Sequence, residues 1–436
     1  MSSSWQNWPQ TKISPHPSII FDIGNIKEED YGIYYGSFEF KAMMNGGYIV
    51  KAKLLDNLNN ILTKLIENGY LEKSRIEPLI IKFKMKAGHD GKYPQSATKE
   101  QIAIVISLRS NGDIPQNNLE FIAIDPASWY LNIGKASGKA YTGKVSQVIR
   151  KVVEEYAPKL DLEISETIDN ENNKFWMYRQ DPKTFIKSLI DWSSSVTQNK
   201  TQFIMGSDGN KLVIKEQAEF QSKPRAFYNF WTSETDSLLK WDMSATNTPA
   251  MFEKAVTQGM STVSGQYFDK ITDQNEEKVF VKDSTTINKL NAKTNMKQSF
   301  TSPDDSAGTD QVGWSVVKAV PEIYSAGDIG LQYDDYLDGR ARNIWLNAMP
   351  KNLKLKISVW GHGEWSESIG LGSDTVFLKF AREPSESDDS KRYIYDGNWI
   401  VYGFHHRMKR GSWFTDLYIY RNDFDAKAQK VGGAPS

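Results

Sequence analysis

Cysteine is absent from all 436 residues. That excludes disulfides and thiolate metal sites, and it argues against a disulfide-stapled secreted domain. Histidine is scarce, at five. Neither sign of charge dominates: 53 basic and 54 acidic residues leave a net charge of −1. A dedicated nucleic-acid binder carries a basic excess, and none is present overall. No apolar run approaches the ~18 residues of a membrane helix, so no integral membrane segment is expected. The first residues, Met1 to Trp8, lack a basic stretch followed by an apolar core, so no signal peptide is expected. Gly-x-Ser-x-Gly and a phosphate-cradling loop ending in Lys-Ser or Lys-Thr are also missing.

Aromatic residues are plentiful, with 13 Trp and 20 Tyr. Such side chains serve large cores and protein interfaces. The length predicts two to four domains. Residues 1–17 hold Pro9, Pro15 and Pro17 and read as an arm. Strands are predicted at Ser18–Ile23, Tyr34–Met44, Pro78–Lys86, Gln101–Arg109 and Leu119–Ile124, with a turn at Asn111-Gly112. Leu54, Leu58, Ile61, Leu62 and Leu65 recur at helical spacing, and Asn68-Gly69 supplies a left-handed end. Residues 18–133 are thus expected to form a first β domain.

After the small-residue linker Gly134–Gly143, residues 140–217 read as an α/β module. Val145, Val148, Ile149, Val152 and Val153 make a helical stripe, with Thr142 as candidate N-cap and Pro158 as stop. Phe175–Tyr178 is a short strand. Asp181-Pro182 opens a second helix with Phe185, Ile186, Leu189 and Ile190 inward. Ser207-Asp208-Gly209-Asn210 is a hairpin turn. Residues 220–245 and 350–421 are expected to form a second β domain of related topology. Residues 246–349 are an insertion: its polar stretch 270–312 reads as a long loop or mobile segment, and Asp334–Ala348 as a helix. Residues 422–436 form a tail. The fold class expected is α+β, two antiparallel β domains flanking an α/β module.

Trp399–Arg421 reads as a closing hairpin. The period of two puts Ile400, Tyr402, Phe404 and Met408 on one face of its first arm. On the second arm it aligns Trp413, Thr415, Leu417 and Ile419. Gly411-Ser412 is the expected turn.

No catalytic, cofactor-binding or metal-binding residue is assigned. His405-His406 with His362 and Glu364 could ligate a metal, but adjacent strand residues point to opposite faces. Glu364 with Glu367, or Asp334, Asp335 and Asp338, could supply the paired carboxylates of a glycan hydrolase. Carboxylates on solvated helix starts are the plainer reading.

Two stretches carry a resemblance. One runs from Thr142 to Ile149 and resumes at Phe175-Trp176-Met177-Tyr178-Arg179-Gln180-Asp181-Pro182 through Leu189. The other is the closing hairpin, with Gly403, His405, Thr415, Leu417, Ile419 and Arg421. With the hairpin Phe203–Ile214, the pattern resembles the baseplate hub proteins of contractile-tailed bacteriophages, whose relatives include late-control proteins and the hub domains of VgrG spikes. The resemblance implies a non-enzymatic homotrimer without cofactor or metal, in which two tube-like β-barrel domains per chain give six around a ring. It implies a threefold central spike, a sixfold tail tube and other baseplate proteins as partners, with DNA passing transiently through the channel. It also implies a place in the virion tail baseplate, after assembly in the host cytoplasm. The chain lacks the Val/Gly-rich C-terminal repeat of a fused needle, so a separate spike protein is expected. A carbohydrate-active hydrolase and a VgrG-like secretion hub are the alternatives.

Overall fold

The computed structural model describes residues 17–27, 34–57, 59–72, 77–87, 96–113, 116–133, 138–167, 169, 171, 173–177, 179–193, 203–217, 224–229, 238–245, 262–269, 274–281, 314–317, 323–325, 353–361, 363–379, 397–409 and 412–421. Strands dominate. The first part of the chain gives β1 (Pro17–Ile23), β2 (Tyr34–Met43), β3 (Gly47–Asn57), helix α1 (Asn60–Glu67), β4 (Ile80–Ala87), β5 (Ser96–Ala97), β6 (Gln101–Asp113) and β7 (Gln116–Ile124). Helix α2 (Pro126–Ile133) follows, then β8 (Lys139–Thr142), α3 (Val145–Tyr156), β9 (Asp161–Ile164), β10 (Asn173–Met177), α4 (Pro182–Trp192), β11 (Phe203–Asp208) and β12 (Lys211–Glu216). The last part holds β13 (Pro224–Asn229), β14 (Leu238–Ala245), β15 (Thr262–Asp269), β16 (Gln274–Val281), β17 (Trp314–Val317) and β18 (Ile323–Ser325). It ends with β19 (Leu353–Trp360), β20 (Thr375–Lys379), β21 (Gly397–Lys409) and β22 (Ser412–Arg421).

Strands from both ends of the chain join in one 13-stranded sheet, whose main path is β1-β4-β6-β7-β3-β2-β21-β22-β19-β14, with β5 branching from β4 and β20, which carries β13, branching from β21. The expected pair of closed barrels is not what the pairings show. The path is open, running from β1 to β14, and β2 bonds directly to β21 from Ser37↔Lys409 to Met43↔Gly403. One hydrophobic core underlies both halves, from Phe21, Phe38 and Phe83 to Trp399, Phe404 and Leu417. Across the junction the Phe40 and Phe404 rings meet edge-on at 5.1 Å, a geometry the ring quadrupoles favour.

Within this sheet the pairing repeats. Strands β6-β7-β3-β2 are followed by β21-β22-β19-β14, and in chain order β2, β3, β6, β7 correspond to β14, β19, β21, β22. Both β6 and β21 are 13 residues long. Each pairs over its first four residues with a strand that comes earlier in the chain, β4 or β20. Each then carries a one-residue bulge, at Ile106 or Tyr402. Each returns through the same tight connection, Asp113↔Gln116 or Lys409↔Ser412. The other antiparallel pair repeats as well, with its bulge at Gly36 between β2 and β3 and at Leu239 between β14 and β19, although a long connection replaces the short β2–β3 turn in the second unit. Bulges re-aim side chains and fix register, so matching bulges mark two copies of one four-strand unit.

The bulge also corrects the face assignment of the closing hairpin. Tyr402 is the extra residue, so the inward set is Trp399 and Val401, then Phe404, His406 and Met408. Tyr402 is half-buried, and Ile400 is buried outside the main core. On β22, Trp413, Thr415, Leu417 and Ile419 are buried as expected. Ser412 is a strand residue paired with Lys409, not part of the turn. Leu417→Ala should cost roughly 2–5 kcal/mol, because Leu417 is fully buried and the rigid sheet cannot collapse onto the void. A denaturation midpoint equal to that of the parent would refute this placement.

Other local readings shift for similar reasons. Leu54 belongs to β3, where Tyr48, Val50, Ala52 and Leu54 alternate inward. The helix starts only at Asn60, where the buried Asp56 carboxylate accepts from the Ile61 and Leu62 N–H groups. Gly69, at φ 67°, supplies the left-handed conformation that ends it. Asn111-Gly112 is carried inside the end of β6, not in the turn. Lys144, not Thr142, stands at the N-cap position of α3, but its side chain makes no cap hydrogen bond; the Asp169 carboxylate accepts from the Val145 N–H at 2.7 Å, and Thr142 is spent in β8. Asp181 does cap α4, accepting from the Thr184 N–H at 2.8 Å.

The module has its own core of Val145, Val148, Ile149, Val152, Phe175, Phe185 and Ile214, among others. Ala127 and Leu131 of α2 pack into it, so the segment expected to close the first β domain belongs to the module's core. Strand β18 pairs with β10, bringing part of the expected insertion into the module's sheet. Gln274–Val281, expected within a loop, is a strand paired with Thr262–Asp269. The rest of 270–312, the helix expected at 334–348, the arm 1–16 and the tail 422–436 lie outside the described residues.

Candidate functional site

The module is fastened to the sheet at two polar joints. The first centres on Asp125, which is 1% exposed. Its carboxylate accepts from the Tyr48 N–H of β3 at 3.1 Å and the Ser128 N–H at 2.9 Å. It also accepts from the Ser128 hydroxyl at 2.5 Å and the Ser207 hydroxyl of β11 at 3.2 Å. One residue therefore caps α2, holds the start of β3 and holds the module's hairpin. Lys183 of α4 donates to the Ser128 hydroxyl at 2.7 Å. Burial pushes the Lys183 ammonium below its ordinary range, and Asp125 partly offsets that. Gly47 completes the joint. Its φ is +71°, and a Cβ there would lie 2.1 Å from an Asp125 carboxylate oxygen.

The second joint gathers Lys99, Gln101, Asp208, Arg225, Glu367 and Asp374. Lys99 donates to Glu367 at 2.7 Å and lies 3.7 Å from Asp208. Arg225 spans Glu367 at 3.1 Å and Asp374 at 2.6 Å. Gln101 donates to Asp208 at 2.8 Å and accepts from the Gly209 N–H. Burial, then the neighbouring Glu367, raises the Asp208 carboxyl. Burial would raise Glu367 too, but Lys99, Asp208 and Arg225 together hold it below the usual range.

This places the carboxylates considered for glycan hydrolysis. Glu364 is exposed, while Glu367 is 7% exposed and clamped by two cations. Asp334, Asp335, Asp338 and His362 lie outside the described residues. His405 and His406 point to opposite faces. His405 faces out, 3.4 Å from Glu39. His406 is fully buried. Its Nε2 donates to the Trp365 carbonyl, and its Nδ1 accepts from the Trp413 indole N–H at 3.2 Å and the Thr415 hydroxyl at 2.8 Å. Both ring nitrogens are thus engaged by protein groups. Among the described residues, no cluster of three or more metal-ligating side chains occurs, and no helix is long and apolar enough to cross a membrane.

What remains open is the outer face of the sheet and its edges. That face carries Lys51 and Lys53 of β3, Lys82 and Lys86 of β4, and Arg407 and Lys409 of β21. Acidic residues interleave: Glu120 lies 3.6 Å from Lys53. Asp416 accepts from Ser358 at 2.7 Å and Arg407 at 2.9 Å, with Lys356 at 3.2 Å. Burial would raise Asp416, but the Ser358 hydroxyl and the Arg407 and Lys356 cations outweigh it and lower its pKa. A lowered carboxylate stabilises the fold above its unfolded pKa of about 3.9 and loses that contribution as pH falls through the folded value. Asp416→Asn should therefore flatten the loss of stability below about pH 4. An acid-unfolding curve parallel to that of the parent would contradict this.

Sequence reasoning missed Asp125, Ser207, Arg225 and Gln101. Asp125-Pro126 repeats the Asp-Pro helix start read at Asp181-Pro182, and that signal could have found the first joint.

No protein-family model matches the sequence, and no curated protein is significantly similar to it. The fold does have solved counterparts. A tail protein from Neisseria meningitidis MC58 aligns with a TM-score of 0.52 at 10% identity, covering 94% of this chain and 98% of that one. The 43 kDa tail protein of prophage MuSo2 from Shewanella oneidensis aligns with a TM-score of 0.51 at 10% identity, covering 94% and 99%. A weaker likeness, at 0.49 and 9% identity, is to a Francisella PdpA–VgrG complex, covering 95% of this chain and 59% of that one. The chain has the fold of phage tail proteins over nearly its whole length.

Proposed function

We propose that this protein is the baseplate hub of a contractile phage tail. In this reading three copies form a ring that joins a threefold central spike to the sixfold tail tube and lines part of the DNA channel. The observation that carries it is the repeated four-strand unit. Two such units lie side by side in one sheet, with the same strand order, the same bulges and the same tight connection between β6 and β7 and between β21 and β22. Each unit is one tube-like domain, so three chains present six equivalent units to a sixfold tube while keeping threefold symmetry for the spike. Closed symmetric rings are the ordinary outcome when a chain carries complementary edges. The two likenesses to tail proteins support the same reading at the level of fold.

The α/β module, held by the Asp125 and Glu367 joints, is the part that breaks sixfold equivalence, since one module accompanies every two units. It is the natural seat for threefold partners. The role is structural. Electron images of the purified full-length protein test this. Rings with six lobes around an open centre are expected. Compact, ring-free particles at high concentration would count against the hub and return attention to an enzymatic or monomeric binding role.

A further inference from the structure

The repeat specifies the seam between copies. Inside one chain, the edge of the second unit is β21, and β2 of the first unit covers it over residues 403–409. The counterpart of β21 in the first unit is β6. Beyond Ile104, β6 has no strand partner on that side among the described residues. The burial agrees. On β21, Phe404, His406 and Met408 are buried. On β6, every residue from Ile106 to Gly112 except Leu108 is exposed. The counterpart of β2 in the second unit is β14, the open end of the sheet path. One molecule thus presents two unpaired edges that are already seen mated, in equivalent form, at its own centre. Long unpaired edges are templates for pairing with another chain.

We infer that β14 of one copy pairs antiparallel with β6 of the next, in the register that β2 and β21 define. The partner is a second copy of this chain, and the proposal rests on the ring reading above. Transposing Ser37↔Lys409 through the repeat sets Lys240 opposite Asp113. Two and four residues further on, Asp242 falls opposite Asn111, and Ser244 opposite Arg109. A slip of one residue would move every side chain to the wrong face. Three copies of the eight-strand run then close on themselves and leave no free edge at these positions.

The absence of cysteine makes a direct test clean. Directly opposed residues have Cα atoms about 4.5–5.5 Å apart, within disulfide reach. The full-length chain carrying both Ser244→Cys and Arg109→Cys should give covalent dimers and trimers under mild oxidation, at the expense of monomer. Either single variant should not. Ser244→Cys with Ser110→Cys puts the thiols on opposite faces and should crosslink at least tenfold less. A three-chain particle in which the 244/109 pair stays unlinked, or in which 244/110 links equally well, overturns this seam and leaves the hub standing. A particle that remains monomeric and unlinked overturns both.

Discussion

Asp125→Ala is expected to destabilise the protein by about 3–5 kcal/mol, the range for removing one side of a buried charged network. The reason is the number of donors left behind. The Tyr48 N–H, the Ser128 N–H and hydroxyl and the Ser207 hydroxyl all point at this carboxylate. Each buried polar group left unpaired costs about 1–3 kcal/mol. Lys183 also loses the charge that offsets its burial. Asp125→Asn should fall between, because the amide keeps one acceptor oxygen but turns donors toward donors. Chemical denaturation followed by tryptophan fluorescence measures it. A midpoint shift worth less than about 1 kcal/mol for the alanine variant would show that the module is held to the sheet by something else.

Trp365→Ala should be of similar size, about 3–5 kcal/mol. Trp365 is fully buried. Its indole N–H donates to the Tyr228 hydroxyl at 3.1 Å, and the Arg225 guanidinium lies 5.4 Å from the ring centroid. Its carbonyl takes the His406 Nε2–H. The residue therefore ties the segment before β20 to β13 and to the closing hairpin at once. Truncation opens a large void and frees Arg225, whose charge is otherwise held between Glu367 and Asp374. Trp365→Phe keeps most of the packing and loses the hydrogen bond, so about 1–2 kcal/mol is expected. If the alanine and phenylalanine variants proved equally stable, the cavity argument would fail.

Much of the fold was legible in the sequence because its signals were local. The Asp181 cap, the Gly69 helix end, the hairpin over Gly209-Asn210 and the alternation on β22 each depend on a few adjacent residues. What was hidden depends on distant partners or on a single inserted residue. Nothing local marks Tyr402 as a bulge, yet it moves Phe404 and His406 onto the inward face. The fusion of two expected barrels into one sheet follows from β2 meeting β21, strands more than 350 residues apart. A second β domain of related topology is expected from strand density alone; the residue-by-residue repeat is not legible because the shared features are pairings and bulges, while the residues differ. Ile106 stands where Tyr402 does, and Asp113 where Lys409 does. The joints escaped for the same reason: Asp125 and Ser207 come together only when the module docks.

The central claim is that one chain supplies two tube-like units and three chains supply six. The mass of the purified full-length particle, measured by sedimentation over a wide range of concentration, tests it most directly. Three chains per particle, independent of concentration above the dissociation range, is the expected result. A particle that stays at the mass of one chain at the highest concentration would contradict the claim.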